Sequence, residues 1–293
     1  MATGISISST SNMATGQGIL IASAKMAFEP AQPDPDLITV ERIPQGMKQW
    51  EIGTYARLSD ADALTEGVDL AVNQQMVSAY LTITPSEHGI IATVSKRLIR
   101  RQGDASVMPA AGMMLGQSLR RRQAKDVVAL YDGFSKSAPG ASTALDISHF
   151  RGTVAYLLTD NDSGYGPAPM PLVAALHSEQ ISDIVADIAT DTGPYAAGFS
   201  AEILQNWWRG RDRLQGVQIF HSGVIARDSS NLSKGAIFAT GALYMGMANE
   251  ADATVQEDHS LRADELGIFQ EWGEGERADS HGVEIHSETT ATI

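Results

Sequence analysis

The stretch Ala63-Leu64-Thr65-Glu66-Gly67-Val68-Asp69-Leu70 lies between two long β-patterned segments. Before it, Leu37 to Ile43 and Gln49 to Arg57 have the β-branched and aromatic content of strands. After it, Met76 to Thr84 and Gly89 to Val94 read the same way, with a basic exit from Ser95 to Arg101. None of these segments carries a continuous apolar face long enough for a core of its own. A two-stranded arm of this kind is marginal in water unless another surface covers it. The pattern therefore points to a protein that completes its fold by assembly.

Working outward toward the N-terminus, residues 1–36 are rich in Ser, Thr, Gly and Ala and then reach Glu29-Pro-Ala-Gln-Pro-Asp-Pro-Asp36. Three prolines there enforce extended backbone and deny a helix. An arm ordered only against neighbours is expected. Toward the C-terminus comes the strongest helical pattern, with Ser106 as cap, Pro109 in the first turn and an unbroken run to about Ser135. Val107, Ala111, Met114, Leu115, Leu119, Val127, Leu130, Tyr131 and Phe134 mark its apolar stripe. Such a helix would be on the order of 40 Å long.

From about 141 to 249 the signals are mixed. A helix is expected from Pro171, carrying Val173, Leu176, Ile184, Val185 and Ile188. Another is expected after Ser200, with Trp207 and Trp208 on one face. Gly216 to Ala226 reads as strand and turn, and a short helix is expected near Ala242–Met247. Strand patterns return at Ala253 to Glu257, Leu266 to Trp272 and Val283 to His286.

Of the 293 residues none is cysteine, which excludes disulfides, thiol nucleophiles and cysteine-ligated metals. No window reaches the roughly 18 apolar residues of a membrane span, and no basic segment precedes the apolar patch at Gly18–Ala22, so neither a span nor a secretory signal is expected. The net charge of −14 is uneven. Residues 250–293 hold 12 acids against two arginines, whereas 96–136 hold nine bases against three acids. Opposite surfaces on one chain suit head-to-tail contacts between copies. The acidic balance argues against tight wrapping of nucleic acid.

Motifs that carry chemistry fail one by one. Counted from Asp160, a calcium loop would want Gly and Glu where Tyr165 and Pro171 stand. His221, Ser222 and Asp228 supply the residue types of a hydrolase triad, but no G-x-S-x-G elbow accompanies them. The histidines show no H-E-x-x-H or H-x-H pattern; His281 and His286, five apart, could approach a metal but read better as exposed polar residues, and no phosphate-cradling glycine loop is present. No catalytic, cofactor or metal site is expected. Trp207-Trp208 followed by Arg209 and Arg211 read as a packing or intersubunit anchor, and Arg120, Arg121 and Arg122 as ion-pairing residues. With Trp50 and Glu66 of the β-rich arm, Arg120, Arg121, Arg122, Trp207 and Trp208 make up the candidate intersubunit contacts.

This order of parts resembles the major capsid proteins of tailed bacteriophages, with their Hong Kong 97-type shell fold. The residues that carry the likeness are Ala63 to Leu70 before Leu81-Thr-Ile-Thr84, and Val94-Ser-Lys-Arg-Leu98 before the long helix. Gly235-Ala-Ile-Phe238, Val255-Gln-Glu-Asp258 and a closing hairpin over Leu266–Ile285 extend it. The resemblance implies an α+β fold with an N-terminal arm (1–36), an extended β-hairpin loop (37–80), a peripheral domain with a spine helix and antiparallel sheet (81–140 and 250–293), and a mixed α/β axial domain (141–249).

It further implies pentamers and hexamers closing an icosahedral shell around double-stranded DNA, without sequence-specific binding or enzyme activity. Portal, scaffolding and decoration proteins are possible partners, the virion is the location, and the host cytoplasm the site of synthesis. Some relatives crosslink a loop lysine to an asparagine; Lys48 is the lysine in the loop here. Two alternatives stand beside this reading, an encapsulin-type nanocompartment shell and a soluble enzyme or ligand-binding domain.

Overall fold

The computed structural model describes residues 32–289 apart from 45, 62, 65, 68–74, 103, 161–164 and 191–212. A two-stranded ribbon and two larger sheets carry the architecture. The ribbon pairs β2 (Trp50–Tyr55) with β3 (Ser78–Ile83) antiparallel, Trp50 opposite Ile83 and Tyr55 opposite Ser78.

The four-stranded sheet has the order β1-β10-β11-β4. Its backbone is the long hairpin of β10 (Leu243–Asp258) and β11 (Ala263–Glu276), flanked by β4 (Ser86–Ser95) and, in parallel, by the short β1 (Thr39–Arg42). At the hairpin turn the Asp258 carboxylate accepts from the amides of Ser260 and Leu261, which fixes the reversal. Helix α1 (Lys96–Gln102) continues from β4, and α2 (Asp104–Tyr131) follows as a rod of 28 residues.

The long helix begins at Asp104, three residues before the start that a Ser106 cap implies, and stops at Tyr131. Leu115, Leu119, Val127 and Tyr131 are buried along it, but Met114 is exposed, so the stripe is narrower than the periodicity suggests. Phe134 is buried beyond the helix end, in the turn.

The six-stranded sheet runs β5-β12-β9-β6-β8-β7. Its members are β5 (Ser137–Ala144), β12 (Gly282–Glu288), β9 (Leu232–Ala239), β6 (Leu172–Leu176), β8 (Val217–His221) and β7 (Arg213–Leu214). Helices α3 (Ile147–Leu158) and α4 (Ser178–Thr190) cover one face through Phe150, Val154, Leu157, Ile184 and Ile188. The end of α2 covers the other, with Val127 and Tyr131 clustered against Phe238 and Ala236.

Several sequence expectations are corrected here. The run Leu172-Val-Ala-Ala-Leu176 is a strand, not the start of a helix; the helix begins only at Ser178. All five residues are buried because both faces of this central strand are covered, which erases the alternation that marks a half-exposed strand. Residues 243–247 form the start of β10 rather than a short helix. Leu266–Trp272 and Val283–His286 do not form a closing hairpin: β11 belongs to the four-stranded sheet, whereas β12 pairs with β5 and β9. Helix α3 lacks a counterpart in the sequence reading, although Asp146 caps it by accepting from the His149 amide at 2.7 Å. The helix expected after Ser200 lies outside the described residues.

Candidate assembly surface

The ribbon is rooted in the four-stranded sheet and bare beyond its root. Gly246 and Gly273 stand opposite each other on β10 and β11, so they point to the same face, and Gly275 follows two residues on. A Cβ at Gly273 would lie 2.8 Å from both Ile83 Cγ2 and Thr84 O. One at Gly275 would lie 2.9 Å from Leu81 Cδ1, and one at Gly246 2.9 Å from Ile43 Cδ1 and 3.3 Å from the Trp50 ring. Three positions without side chains thus form a floor onto which the base of the ribbon settles. Ile83 is fully buried there.

The opposite face of the same strands receives α2. Gln123 donates to Gln270 Oε1 at 2.9 Å in a buried contact, and Trp272 donates its indole N–H to Asp126 at 3.2 Å. His88 stacks on the Trp272 ring at 4.1 Å. The sheet is therefore fixed from both sides before the ribbon leaves it.

Away from that seat the apolar side chains are uncovered. Tyr55, Val77 and Tyr80 on the ribbon, and Leu58, Leu64 and Met76 near its tip, are all exposed, with Tyr80 at 63% and Leu64 at 75%. A soluble monomer rarely leaves so many large apolar groups together in water.

The arm is anchored where it enters. Asp34 is fully buried and accepts from Tyr131 Oη at 3.1 Å and from Ser222 Oγ at 2.8 Å. Burial pushes its carboxyl above the ordinary carboxylate value, against the opposing pull of those two hydrogen bonds and of Arg120. Burial and the Asp34 charge raise the Tyr131 phenol well above its usual range. These contacts join the arm, α2 and the loop after β8.

The sequence-selected residues fall at different places. Trp50 is half-buried at the ribbon root, and Glu66 is exposed in a turn with Gly67 at φ +79°. Arg120 reaches Asp36 at 2.5 Å, Arg122 pairs with Asp126 at 2.9 Å one turn along, and Arg121 is exposed. Arg120 therefore pins the arm entry and Arg122 braces the residue that holds Trp272. Trp207 and Trp208, with Arg209 and Arg211, lie outside the described residues. His221, Ser222 and Asp228 serve separate tasks: Ser222 holds Asp34, while Asp228 closes a turn by accepting from Ser230 and Leu232 amides. The glycine floor was missed in the sequence; its signal was the alternation Gly273-x-Gly275 on a strand, where glycine marks close approach of another backbone.

Charge is arranged at the hairpin end. Lys96 of α1 meets Glu257 and, at 3.9 Å, Asp264, while Arg42 pairs with Glu250. The Arg42–Glu250 pair is exposed and the Lys96 pairs are only partly buried, so each contributes little to stability individually. Where β11 hands over to β12, burial and then the neighbouring Asp279 charge push the Glu276 carboxyl up to about 7.

No protein-family model matches the chain, and no curated protein does. Solved structures do. The head structure of Helicobacter pylori bacteriophage KHP40 superposes with a TM-score of 0.69 at 12% identity, over 99% of this chain and 100% of that one. The acid-stable capsid structure of Helicobacter pylori bacteriophage KHP30 gives 0.71 at 11% identity, over 90% and 93%. The capsid of the native GTA particle gives 0.65 at 11% identity, over 89% and 91%. At such low identity the likeness is one of fold, and it extends over nearly the whole described chain. The chain has the α+β fold seen in these phage head and capsid structures.

Proposed function

We propose that this chain is a major capsid protein: a structural subunit without enzyme activity that assembles into pentamers and hexamers and closes an icosahedral shell around double-stranded DNA. The observation that carries the reading is the ribbon β2–β3, seated at its root on glycines and bare of cover at Tyr55, Val77 and Tyr80. Its apolar residues are satisfied between chains, at the scale of surface that stable association requires. The capsid fold of the neighbouring structures supports the same conclusion.

In this reading residues 1–36 are the arm and 37–80 the extended loop. Residues 81–140 and 250–293 form the peripheral part and 141–249 the axial part, with β12 added to the axial sheet. Trp50, Glu66, Arg120, Arg121, Arg122, Trp207 and Trp208 are contact positions between subunits. The acidic balance of −14 keeps the inner surface from adhering to phosphate. Portal, scaffolding and decoration proteins would be partners, and the virion the destination after synthesis in the host cytoplasm.

Negative-stain microscopy of the purified chain tests this. Closed shells tens of nanometres across are expected, with nucleic acid inside particles taken from the native source. A protein cargo in its place would favour a nanocompartment, and a monodisperse monomer with a ligand pocket would overturn the shell reading.

A further inference from the structure

Residues 96–125 hold eight bases against one acid, while the rest of the chain holds 13 bases against 34 acids. At physiological ionic strength an exposed charge is screened beyond about 8 Å. A partner that meets this stretch therefore senses a basic surface, whatever the net charge of −14.

The charge is densest on α1. Arg97, Arg100 and Arg101 stand at i, i+3 and i+4, so they share one side of the helix, and all three are exposed. Leu98, only 3% exposed, fixes the rotation of α1 by clustering with Val94, Val107, Leu115 and Leu266. The Leu98 amide donates to Ser95 Oγ at 3.3 Å, and Lys96 is drawn to Glu257 and Asp264 of the hairpin. The arginines are thus presented by a helix that is held from behind.

Composition decides what this face fits. Between Lys96 and Arg101 no large apolar side chain is exposed, in contrast to Tyr55, Val77 and Tyr80 on the ribbon. Contacts between subunits are built on apolar and aromatic centres. Surfaces that hold nucleic acid are more polar and far more positive. Guanidinium forks match the oxygens of a phosphate in pairs. From Arg97 to Arg101 the helix rises about 6 Å, close to two phosphate steps of roughly 3.4 Å along one DNA strand.

We propose that the arginine face of α1, formed by Arg97, Arg100 and Arg101, rests on the phosphate backbone of the enclosed double-stranded DNA. The contact rests on the shell reading and adds to it the face that looks inward. Three phosphates per subunit make a weak, salt-labile hold that gains strength only by repetition over many copies. The acidic remainder of the chain confines adhesion to this face.

Photocrosslinking in the full chain tests the contact. Arg100→benzoylphenylalanine is incorporated during synthesis in the host, and DNA-filled particles are irradiated. Adducts to DNA are expected at least about fivefold above those from the same substitution at Val255, an exposed residue of β10. A second variant, Arg97→Gln with Arg100→Gln and Arg101→Gln, should still close shells, because this face makes no contact between subunits. Adducts from position 100 to protein alone, or no excess over position 255, would overturn the proposal. So would loss of shells in the triple variant with its helical circular dichroism unchanged, which would give the face to a second subunit. Absence of shells from the unmodified chain, or particles filled with protein cargo, would instead count against the shell reading itself.

Discussion

Asp34 and Tyr131, 97 positions apart, share a buried hydrogen bond of 3.1 Å that fastens the entry of the chain to the end of its longest helix. Ser222 completes the arrangement at 2.8 Å. Replacing Asp34 by Ala leaves two buried hydroxyls without their acceptor, and should lower unfolding stability by about 2 kcal/mol. Asp36→Ala removes only the exposed pair with Arg120 and should cost less than about 1 kcal/mol. Denaturant titration of the two variants checks the difference; equal losses would deny Asp34 its anchoring role.

Gly273→Val should be harmful, because its branches meet Ile83 and the Thr84 carbonyl with no room to relax. A destabilisation of about 1–3 kcal/mol is expected. Gly112→Ala makes the opposite prediction. That residue sits in α2 with nothing within 4 Å of a new Cβ, so stability should rise by about 0.5–1 kcal/mol. Thermal unfolding of both variants provides the measurement.

Glu276 gives the fold a pH dependence of definite sign. Its carboxyl is raised from 4.5 to about 7, so the folded state holds a proton that the unfolded state has released. The stability this adds is fully present below about 4.5 and is lost as pH rises through about 7. Glu276→Gln should flatten that decline. A variant whose unfolding midpoint follows the unmodified protein across this range would remove Glu276 as the cause.

Tyr80→Ser and Val77→Ser alter exposed ribbon positions only. Subunit stability should stay within about 0.5 kcal/mol, whereas the yield of shells in microscopy should fall sharply. Normal shells from the double variant would show that these side chains are merely solvated.

Much of this architecture is legible in the chain because β-branched and aromatic residues concentrate in its strands. Residues 49–57 and 76–84 contain β2 and β3, and residues 253–257 and 266–272 fall within β10 and β11. The long helix is legible through an uninterrupted pattern that Pro109, near its start, does not break. What escaped notice depends on neighbours. Leu172–Leu176 looks helical or strand-like until both covering layers are known, and α3 carries its signal mainly in the cap Asp146. Of the assembly surface, the bare ribbon is readable from composition, but Asp34 is not. An aspartate between two prolines gives no hint that Tyr131 and Ser222 converge on it.

The backbone passes between the two large sheets three times: after α2, between β9 and β10, and between β11 and β12. Tyr131 and Phe238, with ring centroids 5.5 Å apart, fill the space beside those passages. Cutting any single passage with a protease would therefore leave the halves stitched by the remaining two. They should melt together, in one transition, rather than as separate bodies.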